Sequence, residues 1–178
     1  MTITLVGYRG TGKSSVAREL AGRLGLTAVD ADAEIERRAG RNIREIFAEQ
    51  GEPAFRALER TVMAELLSQD GLVIAAGGGA VLNQETRRDM RLAGPVVWLQ
   101  AAPQTIAARL ASDPATRDRR PALTAADPLS EIASLLAARE PLYRDVATIV
   151  VATDDRLPAL IIDDILARLP PPLREARP

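Results

Sequence analysis

Five short apolar runs recur along the chain, each followed by turn-forming or polar residues. They occupy residues 3–6, 26–29, 72–75, 95–99 and 148–151. Runs of four or five residues that are rich in Val, Ile and Leu are too short for buried helices and are typical of strands covered on both faces. The pattern therefore predicts five buried strands.

The longer segments between these runs carry apolar residues at helical spacing. The segment 15–24, for example, places Val16, Leu20 and Leu24 on one face of a helix. The same spacing predicts helices over residues 33–39, 53–67, 83–92, 103–110, 129–139 and 157–169. Strands that alternate with helices predict an α/β fold, in which a parallel sheet is covered on both faces and ligands gather at the carboxyl ends of the strands.

Single residues mark two further helix boundaries. Asn42 and Glu45 have the spacing of a capping box, which predicts that another helix begins there. We expect Pro141 to end the helix that contains Arg139, because proline lacks the backbone N–H that continues a helix.

One long segment and the end of the chain show neither period. Residues 111–127 contain Arg117, Arg119 and Arg120, and a loop of this length in a compact domain is typical of a mobile lid. The proline-rich residues 170–178 are predicted to be extended and disordered. The expected organisation is a single domain, residues 1–169, followed by a short tail.

The composition limits the classes of function. A chain of 178 residues is long enough for one well-buried core. A net charge of −1 gives no overall field that would attract nucleic acid or a membrane surface. No apolar run approaches the roughly 20 residues of a membrane span, and the first strand begins too early to leave room for a signal peptide. We expect a soluble, cytoplasmic, monomeric protein.

The reactive side chains are few. The chain has no cysteine and no histidine, and Lys13 is its one lysine. Disulfides, thiolate chemistry and cysteine-held zinc are therefore excluded. Proton transfer is left to carboxylates or to Lys13.

The segment from Gly7 to Ser14 fits the phosphate-binding pattern G-x-x-x-x-G-K-[ST] and lies between a predicted strand and a predicted helix. Its glycines let backbone N–H groups surround an anion at a helix N-terminus. Lys13 would reach the β- and γ-phosphates, and the Ser14 hydroxyl would bind Mg²⁺. The alternative is a glycine-rich turn before an ordinary helix. It would require the motif, the flanking strand and the flanking helix all to occur together by chance. We predict a nucleoside triphosphate site formed by Gly10, Thr11, Gly12, Lys13, Ser14 and Ser15.

Two carboxylates follow the second predicted strand. Asp30 is placed to bind Mg²⁺ through water, and Asp32 to accept a proton from the hydroxyl of an acceptor. The alternative makes Asp32 the N-cap of the next helix, a common position for aspartate.

A glycine triplet and several arginines complete the candidate site. Gly77, Gly78 and Gly79 follow the third strand and suggest a ligand pressed against bare backbone, although a plain loop is the alternative. Arg56 and Arg139 could grip a substrate carboxylate bidentately. Arg120 could close over the phosphates, and Arg109 could lie beside the nucleotide. Each arginine could instead be an ordinary surface residue.

These motifs, in this order, resemble the shikimate kinase family. The shared motifs are the N-terminal phosphate loop, Asp30-Ala31-Asp32, Phe55-Arg56-Ala57-Leu58-Glu59, Gly77-Gly78-Gly79, Arg120-Pro121 and Arg139-Glu140-Pro141-Leu142-Tyr143. Together they cover roughly residues 3 to 169, and the ordered set is highly specific although each motif alone is weak. The segment between Arg109 and Arg120 looks longer than in typical members, and the tail beyond residue 169 has no counterpart.

The resemblance implies a P-loop nucleoside monophosphate kinase-like, three-layer fold with sheet order 2-3-1-4-5. It also implies ATP- and Mg²⁺-dependent phosphorylation of the 3-hydroxyl of shikimate. The implied shikimate contacts are Asp32, Arg56, the glycine triplet and Arg139. Arg120 would be the lid arginine and Arg109 would stack on adenine, while residues 152–158, with Arg156, resemble the adenine loop.

Two other functions are alternatives to the phosphorylation of shikimate. A gluconate or other small-metabolite kinase of the same fold is the nearest alternative, but the pair Arg56 and Arg139 favours an acceptor with a carboxylate. A nucleotide-dependent switch is disfavoured because the sequence contains neither D-x-x-G nor N-K-x-D.

Overall fold

The computed structural model describes residues 1–112 and 127–171. Its centre is a parallel sheet of five strands, which are β1 (Ile3–Val6), β2 (Thr27–Asp30), β3 (Leu72–Ala75), β4 (Val96–Gln100) and β5 (Ile149–Ala152). The strands lie in the order β2-β3-β1-β4-β5, and each pairs with its neighbours in parallel. The five predicted strands and the sheet order implied by the family resemblance are confirmed.

Helices cover both faces of the sheet, as the apolar runs required. They are α1 (Lys13–Leu24), α2 (Ala31–Ala39), α3 (Ile43–Leu67), α4 (Gln84–Ala93), α5 (Pro103–Ser112), α6 (Pro128–Val146) and α7 (Pro158–Arg168), with a short 3₁₀ turn at Ala80–Leu82. One core lies between the sheet and α1 and α7. The other lies between the sheet and α2, α3, α4 and α6. In the two described ranges, no helix combines the length and apolar character that crossing a membrane requires.

The predicted lid falls mainly outside the described residues. Helix α5 continues to Ser112, and the side chain of Asp127 accepts a hydrogen bond from Leu129 N to cap α6. Residues 113–126, which include Arg117, Arg119 and Arg120, and residues 172–178 of the predicted tail lie outside the description. The division into a single domain and a tail therefore stays a prediction.

The prediction that Pro141 ends its helix is wrong, because α6 continues to Val146. Proline inside a helix costs about 3 kcal/mol. The residues beyond it, Tyr143 and Val146, are almost completely buried in the core beside the sheet. Burying a large apolar side chain contributes about 1.5–3 kcal/mol, so the two together offset the cost of the proline.

Helix α3 joins two predicted helices across a kink. Its backbone leaves helical geometry at Gly51 (φ 78°, ψ 173°), and regular helix resumes at Pro53. The capping box at its start is confirmed, since Asn42 Oδ1 accepts from Glu45 N at 2.8 Å and Glu45 Oε2 accepts from Asn42 N at 2.9 Å. The second half of α3 carries Arg56, whose guanidinium lies beside Gly79, beyond the carboxyl end of β3.

The capping box gives a test of how the start of α3 is stabilised. Replacing Asn42 with Ala should lower the free energy of unfolding by about 1 kcal/mol, because the cap of the Glu45 N–H is lost. Urea denaturation measures the change. The exposed neighbour Arg44, which lies outside the box, is the control, and Arg44→Ala should change stability by no more than about 0.5 kcal/mol. Equal effects in the two variants would contradict the assignment.

Candidate active site

The phosphate loop joins β1 to α1 and depends on glycine at two points. Gly12 caps α1 with φ 92°, a left-handed conformation that glycine adopts at little cost. At Gly7, with φ 142°, a Cβ would stand 2.5 Å from the carbonyl oxygen of Leu99. These glycines let the loop fold tightly at the end of the central strand, so that its backbone reaches the N-terminus of α1.

Lys13 extends back across this loop. Its Nζ donates hydrogen bonds to the carbonyl oxygens of Gly7 at 2.9 Å and Tyr8 at 2.8 Å. The residue is almost completely buried. The ammonium group is therefore held inside the loop, beside the backbone predicted to surround a triphosphate.

Ser14 and Asp30 meet at the mouth of the loop. The Ser14 hydroxyl donates to Asp30 Oδ2 at 2.5 Å. Asp30 Oδ1 accepts from Ala33 N at 3.2 Å, which makes Asp30 the N-cap of α2. The alternative of Asp32 as the cap is wrong, because α2 begins directly at Ala31 and places Asp32 in its first turn.

The oxygen atoms of Ser14 and Asp30 fit Mg²⁺. This ion prefers oxygen ligands and is usually bound through one or two protein groups, with water and substrate phosphates supplying the rest. Within the described ranges, no three or more Asp, Glu, His or Cys side chains form a metal-binding cluster. One hydroxyl and one carboxylate beside a phosphate loop are enough protein ligands for an ion whose other ligands come from water and substrate phosphates.

The turn formed by Gly77, Gly78 and Gly79 after β3, called here the glycine turn, gathers side chains from α2 and α3. A Cβ on Gly77 would stand 2.7 Å from Asp32 Oδ1 and 2.8 Å from Glu59 Oε1. A Cβ on Gly79 would collide with the guanidinium of Arg56. The absence of side chains here lets charged groups from two helices approach the backbone of the turn.

Helix α6 reaches the same turn from the other side. The carbonyl oxygen of Gly78 accepts from Tyr143 OH at 2.7 Å and from Arg139 Nη1 at 3.3 Å. The structure therefore brings together Asp32, Arg56 and Arg139, three residues that the sequence placed in one substrate pocket.

Arg56 is held by two carboxylates on its own helix. It donates to Glu59 at 2.7 Å and to Glu52 at 3.0 and 3.1 Å. Burial disfavours its charged form, but the charge of Glu59 and the hydrogen bonds that Arg56 donates to both carboxylates outweigh this and raise the pKa of Arg56 above its ordinary value. The guanidinium stays charged and fixed in orientation.

Glu59 and Tyr143 are site residues to which the sequence reasoning gave no role. Glu59 is only 4% exposed. Because a glutamate in a helix usually faces solvent, the sequence alone gives no sign that this one is buried. The ring of Tyr143 stacks on Trp98 with centroids 5.7 Å apart, and its hydroxyl reaches the glycine turn. Glu59 orients the guanidinium of Arg56, and the Tyr143 hydroxyl orients the carbonyl group of Gly78.

Arg109 connects the phosphate loop to the loop after β5. Its Nη1 donates to Gly10 O at 3.3 Å and to Thr153 Oγ1 at 3.0 Å, and its Nη2 donates to Thr153 O at 2.8 Å. Arg109 therefore lies against the phosphate loop, and its place beside the nucleotide stays a prediction. Stacking on adenine stays a prediction.

Asp154 fixes the loop after β5. Its Oδ1 accepts from Ala102 N at 2.9 Å. The side-chain hydrogen bond from Thr105 lowers the pKa of Asp154, burial opposes that change, and the Ala102 bond and the charge of Arg109 add to the lowering. The carboxylate therefore stays ionised and holds the segment that resembles an adenine loop.

Arg156 lies in this segment but is bound to α7. Its guanidinium donates to Asp164 Oδ2 at 3.0 Å, to Leu160 O at 3.0 Å and to Ala152 O at 3.1 Å. Its predicted contact with ATP stays a prediction, as does the role of Arg120, which lies outside the described residues.

A phosphate loop at the central strand of a parallel sheet with order 2-3-1-4-5 defines a P-loop phosphotransferase of the nucleoside monophosphate kinase-like class. The family model described as shikimate kinase matches residues 9–170. The chain belongs to the shikimate kinase family.

Individual relatives agree with this assignment. Shikimate kinase of Pseudomonas savastanoi pv. phaseolicola is 48% identical over 94% of this chain and 95% of its own length. Shikimate kinase of Pseudomonas aeruginosa is 45% identical over 95% of this chain and 96% of its own. The structure of shikimate kinase from Acinetobacter baumannii in complex with shikimate superposes with a TM-score of 0.87 and 38% identity, covering 93% of this chain and 90% of that one. A gluconokinase from Sinorhizobium meliloti, at 19% identity and a TM-score of 0.57, shares the fold alone.

The buried hydroxyl of Tyr143 gives a second test. Tyr143→Phe keeps the ring against Trp98 and removes the donor to Gly78 O, and it should lower the free energy of unfolding by about 1–2 kcal/mol. Urea denaturation followed by the fluorescence of Trp98, the one tryptophan of the chain, measures this.

Thr61→Val is the matched control, because it removes an exposed hydroxyl that donates to Ala57 O at 3.1 Å. It should change stability by no more than about 0.5 kcal/mol. If the two variants have the same free energy of unfolding, the Tyr143 hydroxyl does not stabilise the glycine turn.

Proposed function

We propose that this chain transfers the γ-phosphoryl group of ATP to the 3-hydroxyl of shikimate, giving shikimate 3-phosphate for aromatic amino-acid biosynthesis. The observation that carries the proposal is the glycine turn, which brings two carboxylates and two guanidinium groups together beside a phosphate loop. Shikimate is proposed as the acceptor because the relatives are shikimate kinases. The proposal includes a monomeric enzyme in the cytoplasm.

The phosphate loop holds the donor. Backbone N–H groups of Gly10, Thr11 and Gly12, with Ser14 and Ser15 at the start of α1, surround the triphosphate. Lys13 leaves its carbonyl partners for the β- and γ-phosphates, where an ammonium group meets stronger acceptors than carbonyl oxygens. Arg109 lies at the nucleotide end, between Gly10 and Thr153.

Ser14 and, through water, Asp30 would hold Mg²⁺. When bound, the ion neutralises charge on the phosphate oxygens. The capping contact with Ala33 N keeps the Asp30 carboxylate directed toward Ser14.

The glycine turn holds the acceptor. Arg56 and Arg139 bind the carboxylate of shikimate, because planar guanidinium groups match carboxylate geometry bidentately. Backbone groups of Gly77, Gly78 and Gly79 approach the ring, and the fixed carboxylate sets the 3-hydroxyl in line with the γ-phosphate.

Asp32 orients the attacking hydroxyl and takes its proton. As the new oxygen–phosphorus bond forms, the bond to the β,γ-bridging oxygen breaks and ADP leaves with that electron pair. The proton of the hydroxyl passes to Asp32. Phosphoryl transfer proceeds mainly by positioning and charge stabilisation, so the carboxylate acts late. Arg120, from the predicted lid, adds positive charge as the lid closes and water leaves.

A panel of acceptors tests the proposal. The purified chain, with ATP and Mg²⁺, should release ADP with shikimate and far less with gluconate or a nucleoside monophosphate. Lys13→Met serves as the inactive control, since it removes the loop cation. Phosphorylation of gluconate or a nucleotide without phosphorylation of shikimate would show that the acceptor is wrong.

The role of Asp32 gives a separate prediction. Asp32→Asn keeps the shape of the side chain and removes the base, so kcat should fall by about 10²–10⁴-fold while the KM for ATP changes little. Steady-state kinetics measure both. Asp163→Asn, an exposed position on α7, is the matched control and should leave kcat unchanged. A normal kcat for Asp32→Asn would reduce Asp32 to a structural residue.

A further inference from the structure

Arg9 lies where the phosphate loop meets the glycine turn. A Cβ on Gly78 would stand 3.5 Å from Arg9 N and 3.5 Å from Gly7 O, so loop and turn touch at this point. Donor and acceptor must meet at the same boundary if the proposed function is right. Arg9, at one of the unspecified positions of the phosphate-loop motif, therefore lies where the loop meets the glycine turn.

Two guanidinium groups share one aromatic ring here. Arg9 Cζ lies 5.9 Å from the centroid of the Tyr8 ring, and Arg139 Cζ lies 5.8 Å from the same centroid. Tyr8 is only 2% exposed, so the ring is a fixed support. Two positive charges against one ring disfavour each other, and a bound anion in their neighbourhood relieves that repulsion.

Within the described part of the chain, Arg9 differs from Arg56 and Arg156 in having no carboxylate partner. Its Nε is buried and meets no hydrogen-bond acceptor, and among residues 1–112 and 127–171 no carboxylate forms a salt bridge with it. Arg56, by contrast, binds Glu52 and Glu59, and Arg156 binds Asp164. A buried N–H of a charged group without an acceptor costs free energy, which a bound oxyanion would recover.

We propose that Arg9 binds an oxyanion at the boundary of the two subsites and is a further guanidinium of the active site. The proposal rests on the proposed function, because it takes the glycine turn as the acceptor pocket. The oxyanion has two possible sources: the carboxylate of the acceptor, which Arg139 also binds, and the phosphoryl group in transfer. A planar guanidinium suits either one.

The two sources predict different kinetics. Loss of a contact with the carboxylate weakens ground state and transition state alike, so the KM for shikimate rises and kcat is little changed. Loss of a contact that forms only with the phosphoryl group in transfer lowers kcat, with the KM little changed. Both lower kcat/KM for shikimate.

Arg9→Met, which keeps the apolar stem and removes the charge, tests the proposal. We expect kcat/KM for shikimate to fall by at least about tenfold, the size expected for one charge-assisted hydrogen bond. Arg9→Lys should recover part of the loss. The Kd for ADP, measured by calorimetry, should stay within about twofold of wild type, because the backbone of the loop and Lys13 remain. Arg18→Met, at an exposed position on α1, is the matched control.

The methyl ester of shikimate separates the sources. A penalty from Arg9→Met that disappears with the ester assigns the contact to the carboxylate, and a penalty that persists assigns it to the phosphoryl group. Kinetics equal to those of Arg18→Met, or a loss matched by weaker ADP binding, would overturn the proposal.

Two safeguards keep the outcome clear. Thermal unfolding of each variant is measured, and Arg9→Gln replaces Arg9→Met if the latter does not fold. The variants are assayed with whichever acceptor of the panel the wild-type chain phosphorylates. A wrong acceptor would then refute the proposed function, while the comparison of Arg9→Met with Arg18→Met on the acceptor that is phosphorylated would still decide the role of Arg9.

Discussion

The close approach of two glycine-rich segments at the centre of the sheet is the constraint on which the rest of the site depends. Strands β1 and β3 are parallel neighbours, and the hydrogen bond from Ala76 N to Leu5 O at 3.0 Å carries their pairing to the carboxyl edge. The phosphate loop and the glycine turn therefore leave the sheet side by side. A Cβ on Gly78 would lie in van der Waals contact with the loop, 3.5 Å from Arg9 N and from Gly7 O. A phosphoryl donor and an acceptor alcohol can react only if the surfaces that hold them come this close.

The positive charge of the site is carried by a few side chains, whose hydrogen-bond partners are of two kinds, carboxylates and carbonyl oxygens. Arg56 is bound by the carboxylates of Glu52 and Glu59, which fix its orientation and reduce its net field. Arg139 donates to the carbonyl oxygen of Gly78, a neutral partner that adds no opposing charge, and Lys13 donates to the carbonyl oxygens of Gly7 and Tyr8. The chain as a whole carries a net charge of −1. The attraction for phosphate and carboxylate thus comes from a few converging groups and not from an overall basic surface.

The sequence predicted the strands, the capping box and the loop motif because each depends on local spacing, while the strand order required the family resemblance. It could not predict that α6 passes through Pro141, since that depends on tertiary burial of Tyr143 and Val146. Nor could it tell which aspartate caps α2, because the exact end of β2 decides this. Glu59 went unrecognised for a related reason: a glutamate in a helix usually faces solvent, and its burial appears only once α3 packs beside the glycine turn.

The continuation of α6 through Pro141 has a consequence for the acceptor pocket. Arg139 and Tyr143 are four residues apart, so in an unbroken helix they lie on one face, one turn apart. Only in that geometry can both donate to the same carbonyl oxygen of Gly78. The Tyr143 hydroxyl, backed by the Trp98 ring, fixes the direction of that carbonyl, and the carbonyl in turn fixes the guanidinium of Arg139. The proline that by itself would break the helix is therefore tolerated where helical continuity aligns Arg139, which we propose to bind the substrate, with the buried hydroxyl of Tyr143.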